Sequence, residues 1–255
     1  MIHAIKHFCL LMFAVFALTA CASNPAKHEV DKEKLAHIHY QLAIDALGKE
    51  GMLPKAFDEL MQSNALHPNQ PEVLDALAYA WLLRGDTDKS EQFYKKALHH
   101  GGSAATQNNY ANLLNRLQRF EEAEVMARKS LDDPRYPNQD LAFINLGDAL
   151  LGQQKFDQAI HAYSQAKMFN PNSGRTEAKL ANTYFLQGRL NEAAVLYHGL
   201  LRKEPGNRNI VEGLVEVLKK QNRQSEARMV LQDFSRKSSS SLDKAWAMDK
   251  IGQLE

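Results

Sequence analysis

A chain of 255 residues, 44% hydrophobic and 24% charged, has the make-up of a globular protein large enough for one sizeable domain or two small ones. Its 31 basic and 30 acidic residues nearly cancel, which argues against a dedicated nucleic-acid binder, since such proteins usually show a large basic excess or a basic stripe. It contains no glycine-rich phosphate loop, no HExxH and no CxxC pair, so the common cofactor and metal motifs are missing.

The first element is an address. After a weakly positive start ending at His7, residues 8–18 (FCLLMFAVFAL) form an unbroken apolar run. A run of that length is too short to span a bilayer, which needs about 20 residues, and fits the core of a secretory signal. The next residues, Leu18-Thr19-Ala20-Cys21, resemble a bacterial lipobox. That resemblance implies cleavage before Cys21 and diacylation of its thiol, with residues 1–20 discarded as a signal peptide. Two or three acyl chains hold a protein stably on a membrane where one does not. Cys9 falls in the discarded part, and nothing after Cys21 can form a disulfide within the chain, so the fold is expected to rest on packing alone. Ala22 in place of Asp favours the outer membrane over the inner by the sorting behaviour of such lipoproteins, with the folded part in the periplasm. Residues 21–34 are polar and read as the lipidated cysteine with a flexible tether.

From residue 35 to 237 the chain repeats. A small residue sits in the middle of six apolar-periodic stretches, at Ala56, Ser90, Ala123, Ala159, Ala193 and Ala227, at intervals of 34, 33, 36, 34 and 34. Each unit opens with a Leu or aromatic followed by a small residue, as in Leu77-Ala78, Tyr110-Ala111, Leu146-Gly147 and Leu180-Ala181. A polar turn follows, often with glycine, and then a second helix with an aromatic four residues after the anchor, as in Ser90/Tyr94, Ala159/Tyr163 and Ala193/Tyr197. Pro68, Pro171 and Pro205 mark exits, because proline cannot continue a helix. One such helix pair cannot bury its apolar stripe alone, so the units must stack.

The third unit ends Leu131-Asp132-Asp133-Pro134-Arg135-Tyr136-Pro137, and its two prolines predict an ordered excursion over 132–139. After the sixth unit, residues 238–255 read as a serine-rich linker and a capping helix. The order of these parts resembles the tetratricopeptide repeat, most fully in the fourth unit. That implies an all-α fold: a right-handed superhelix (α-solenoid) of six tetratricopeptide repeats with a C-terminal capping helix.

Proteins built this way bind peptides along the first helix of each pair. Helical period places Asp75, Tyr79 and Leu82 on that face in the second unit, and Asn108, Asn112 and Arg116 in the third. Asp148 joins them in the fourth, and Asn182 and Phe185 in the fifth. Three asparagines aligned on one helix (Asn108, Asn112, Asn115) are unfavourable in a helix interior and suit contacts to a peptide backbone, or simply a solvated surface. His37 and His39 point about 200° apart on a helix and cannot chelate one ion, and His99-His100 lies at a helix end. Neither forms a metal site, and with no acid/base pair or nucleophile motif no enzyme activity and no cofactor are expected.

A lipobox, a short tether, six repeats and a Tyr136-Pro137 insertion in a chain of this length are similar to the PilF/PilW lipoproteins of type IV pilus biogenesis. The resemblance implies a pilotin: an outer-membrane scaffold that binds the secretin subunit of the pilus machine and promotes its localisation and multimerisation. The alternative is an envelope adaptor of the same architecture serving outer-membrane protein assembly or cell-wall enzymes.

Overall fold

The computed structural model describes residues 25–254 of the chain, so the signal peptide and Cys21 lie outside the described residues. Among the described residues there are thirteen helices and no strand. In chain order they are α1 (Pro25–Leu47), α2 (Leu53–Leu66), α3 (Pro71–Leu83), α4 (Thr87–His99), α5 (Ala104–Arg116), α6 (Phe120–Leu131) and α7 (Gln139–Gly152). They continue with α8 (Phe156–Phe169), α9 (Gly174–Leu186), α10 (Leu190–Lys203), α11 (Arg208–Lys220), α12 (Gln224–Lys237) and α13 (Ser241–Gly252). The chain divides into two compact units, Met1–His100 and Gly101–Glu255.

All six anchor residues, from Ala56 to Ala227, are fully buried, so the period read from the sequence is the period of the packing. A small side chain at these points lets paired helices approach closely while larger neighbours fill the remaining space. The turn between the two helices of each pair also repeats. The left-handed backbone conformation falls at Gly51, Gly85, Gln118, Gln154, Gly188 and Asn222, at the same intervals as the anchors. Glycine adopts it without strain, and the glutamines and asparagine do so at a cost.

In the first unit, Leu60, Val73 and Leu77 form a core with Tyr40, Phe57 and Phe93 packed around it. Phe57 meets Trp81 edge-on at 4.7 Å, and the Lys89 ammonium lies 4.0 Å from the Trp81 ring centre. The first helix begins at Pro25, so residues 25–34 of the stretch predicted as tether are helical. Proline is well placed in a first turn, and Lys and Glu are good helix formers, so this polar stretch is helical without an apolar period.

In the second unit, Ala111, Leu146, Leu150 and Tyr163 belong to one cluster, and Leu200, Val211, Leu214 and Phe234 to another. A methyl group on Gly147 would overlap the Tyr163 ring, which explains the small residue after Leu146. The 132–138 connection is an ordered turn in which the Tyr136 amide donates to Asp133 O at 3.1 Å and Tyr136 is buried. At the far end α13 serves as the expected cap. Its Ser240 hydroxyl accepts from the Asp243 amide, Ala247 is buried, and Trp246 packs edge-on against Phe234 at 5.6 Å.

Candidate partner-binding face

The first helices of the third, fourth and fifth units, α5, α7 and α9, position most of the residues singled out from the sequence. The asparagines of α5 do not face a partner as a row. Asn145 of α7 stands between them: its Nδ2 donates to Asn108 Oδ1 at 2.7 Å and to Asn108 O at 3.1 Å. Asn112 Nδ2 donates to Asn145 Oδ1 at 3.3 Å, and Asn115 Nδ2 to the Asn145 carbonyl at 2.9 Å. Asn108 is only 4% exposed, so it is withdrawn as a partner contact, while Asn112 is half-buried. The helical period placed these amides on one side correctly, but that side is where the next repeat's first helix lies. Buried amides need partners, and here they supply them to one another.

Asp148 is also engaged. It accepts from the Tyr163 hydroxyl at 2.5 Å and from Lys179 Nζ at 2.6 Å, joining α7, α8 and α9. Burial and then the Asp148 charge push the Tyr163 phenol well above the usual range, so it remains a neutral donor. Phe185 is half-buried and packs on the core shared by the fifth and sixth units. Arg116 and Asn182 are exposed and remain candidate contacts.

In the second repeat Tyr79 is 43% exposed, while Asp75 and Leu82 are half-buried. Asp75 sits close enough to Tyr40 to raise its phenol, second to the effect of burial and ahead of Glu72. The two histidine pairs bind within the fold or lie at its surface. His39 is 2.6 Å from Glu59, His37 bonds Gln41 at 2.9 Å, and His99 stacks edge-on with His100. Among the described residues, no group of three or more His, Cys, Asp or Glu side chains could hold a metal ion.

Three residues that matter were not singled out in the sequence: Asn145, Lys179 and Glu177. Asn145 was detectable as a lone amide inside the apolar run of residues 143–151. Glu177 is buried between Lys167 at 2.9 Å and Lys203 at 2.8 Å. Burial alone would raise its carboxyl, but the two ammoniums hold it below the ordinary range. The second unit also carries an open groove of about 480 Å³ between α6 and α8, floored by Leu131, Phe143, Leu146 and Leu150 and edged by Arg128 and His161. Its apolar floor and charged rim suit an extended or helical peptide better than a small enclosed ligand.

Tetratricopeptide-repeat family profiles match residues 103–133 and 142–173, which are the third and fourth helix pairs. The fold is that of a tetratricopeptide-repeat protein. Repeats of this type mediate protein–protein interaction, and the chain's structural neighbours are proteins of the same build. PilF of Pseudomonas aeruginosa is 20% identical, with a TM-score of 0.72 over 86% of this chain and 99% of that one. PilW, a widely conserved type IV pilus biogenesis factor, is 20% identical, with a TM-score of 0.77 over 84% of this chain and 98% of that one. Cellulose synthase operon protein C of Pseudomonas fluorescens (strain SBW25) is 26% identical over 212 residues, which is 77% of this chain. The chain spans only 16% of that relative's length.

Proposed function

We propose that this tetratricopeptide-repeat protein is a pilotin: an outer-membrane lipoprotein that binds the type IV pilus secretin subunit and promotes its multimerisation. The observation that carries the reading is the likeness to PilF and PilW across 99% and 98% of those chains, in a chain that also carries Leu18-Thr19-Ala20-Cys21. Diacylation of Cys21 would hold the protein on the outer membrane, and Ala22 is consistent with that destination. The repeats would then carry the secretin subunit to the same membrane, with Arg116, Asn182 and Tyr79 as exposed contacts. Scaffolding needs no reacting group, and the polar clusters of the second unit are occupied in holding helices together.

The test is co-purification of the folded part, residues 25–255, with the secretin subunit against an unrelated outer-membrane barrel. Retention of the secretin alone supports the reading. Retention of neither, or of both equally, overturns it. The likeness to a cellulose synthase operon protein favours a second reading, an adaptor serving cellulose synthesis. Secretin binding would count against that adaptor.

A further inference from the structure

The first helix is apolar on two faces. Ala36, Tyr40, Ala43 and Leu47 turn into the fold of the first unit. Leu35, Ile38 and Leu42 form a second stripe, and they are 44%, 50% and 42% exposed. At 3.6 residues per turn, spacings of three and four put these three side chains in one line, roughly 120° around the helix from the buried face. A repeat array normally presents a polar outer face at its ends. Three branched aliphatic side chains aligned there, on the helix that follows the anchor, call for a covering surface.

We propose that the Leu35–Ile38–Leu42 stripe rests on the lipid surface to which Cys21 is anchored, so that α1 lies along the membrane and orients the first unit. The inference rests on the lipoprotein reading above. Only residues 22–24 separate Cys21 from Pro25, where the helix begins. Four residue steps span at most about 14 Å, so acylation holds the start of α1 close to the headgroups. The stripe then lies about 15–26 Å along the helix, within reach of the surface when α1 lies flat and beyond it when α1 stands on end.

The chemistry also fixes the depth. On the same side of the helix, the stripe is bracketed by Asp31 and by Asp45, which is bonded to Lys49 at 2.6 Å. These carboxylates stay in water, so only the three aliphatic side chains enter the interface. Such a contact is weak alone, but the anchor makes it intramolecular, and a weak contact then suffices to set orientation.

The chain has two cysteines; signal cleavage removes Cys9 and acylation consumes Cys21, so an introduced cysteine is the single thiol of the mature lipoprotein. Ile38→Cys, Leu42→Cys and, as a control on α2, Lys55→Cys are labelled with bimane. Each acylated protein is reconstituted in phosphatidylethanolamine/phosphatidylglycerol vesicles whose acyl chains carry a quencher. Labels at 38 and 42 are expected to be quenched several-fold more than the label at 55. Equal, weak quenching at all three positions, in protein whose mass includes the acyl chains, overturns the contact and leaves the anchor intact. A label at 38 shielded by a bound protein but untouched by the lipid quencher also overturns it, in favour of a protein partner. Protein whose intact mass lacks acyl chains removes the lipoprotein reading, and this inference with it.

Discussion

Asn145 Nδ2 lies 2.7 Å from Asn108 Oδ1, a buried amide pair that ties the first helix of the third repeat to that of the fourth. These repeats are separated by the irregular 132–138 connection, and the amides fix their register where the connection does not. Asn145→Ala leaves both Asn108 oxygens buried without that donor. The expected loss is about 1–3 kcal/mol, read as a lower urea midpoint at unchanged slope. An unchanged midpoint, with partner binding lost instead, would restore these asparagines to a binding role.

The left-handed turns make a prediction of opposite sign. Gln154 adopts φ 59° at the position where other repeats carry glycine. Gln154→Gly relieves a cost of about 1–2 kcal/mol in the folded state, partly offset by the greater freedom of unfolded glycine. A net gain of roughly 0.5–1 kcal/mol is expected, seen as a higher Tm. A lower Tm would mean the glutamine side chain contributes more than its backbone strain costs.

Gly147→Val drives a branched side chain into the Tyr163 ring and disturbs its 2.5 Å bond to Asp148. A loss of about 1–3 kcal/mol is expected from overpacking alone. Retained stability in a urea titration would show that α7 and α8 can separate at little cost, contrary to the close crossing described.

Acid should loosen the Gly101–Glu255 unit through Glu124. Burial alone would raise its carboxyl, but hydrogen bonds from Arg128, Gln153 and Lys155 bring it down to about 2. Because the folded value lies below the ordinary 4.5, its stabilisation is complete above that pH and is lost as pH falls toward 2. Glu177, also lowered, acts in the same direction. Glu124→Gln should therefore be less stable than wild type at pH 7, and the gap should narrow between pH 4.5 and 2. A gap that does not vary with pH would remove the charge from the explanation.

Arg116 and Asn182 are exposed, so Arg116→Glu and Asn182→Ala should change stability by no more than about 0.5 kcal/mol. If they contact the partner, the double variant weakens binding in a calorimetric titration at unchanged Tm. Full affinity would move the contact surface elsewhere, with the α6–α8 groove next to be tested.

Much of the fold could be read directly from residue spacing. The anchors from Ala56 to Ala227 are buried because a period near 34 residues leaves little choice about which side of each helix is packed. Pro68, Pro171 and Pro205 each follow a helix end by two residues, as proline's missing donor requires. The turns were only half legible, since Gln118, Gln154 and Asn222 adopt the glycine conformation without glycine. The polar residues were least legible. Period places Asn108 and Asp148 on a face, but only the neighbouring helices decide whether that face meets solvent, Asn145 or Lys179.

The most direct measurement of the proposed pilotin role is secretin multimer formation in outer-membrane fractions of cells expressing wild type or Cys21→Ser. The expected result is wild-type protein and heat-resistant secretin multimers together in the outer membrane. In Cys21→Ser cells, soluble periplasmic protein should accompany secretin that remains monomeric or misplaced. Normal multimers in cells lacking the protein altogether would contradict the role, whatever the repeats are then found to bind.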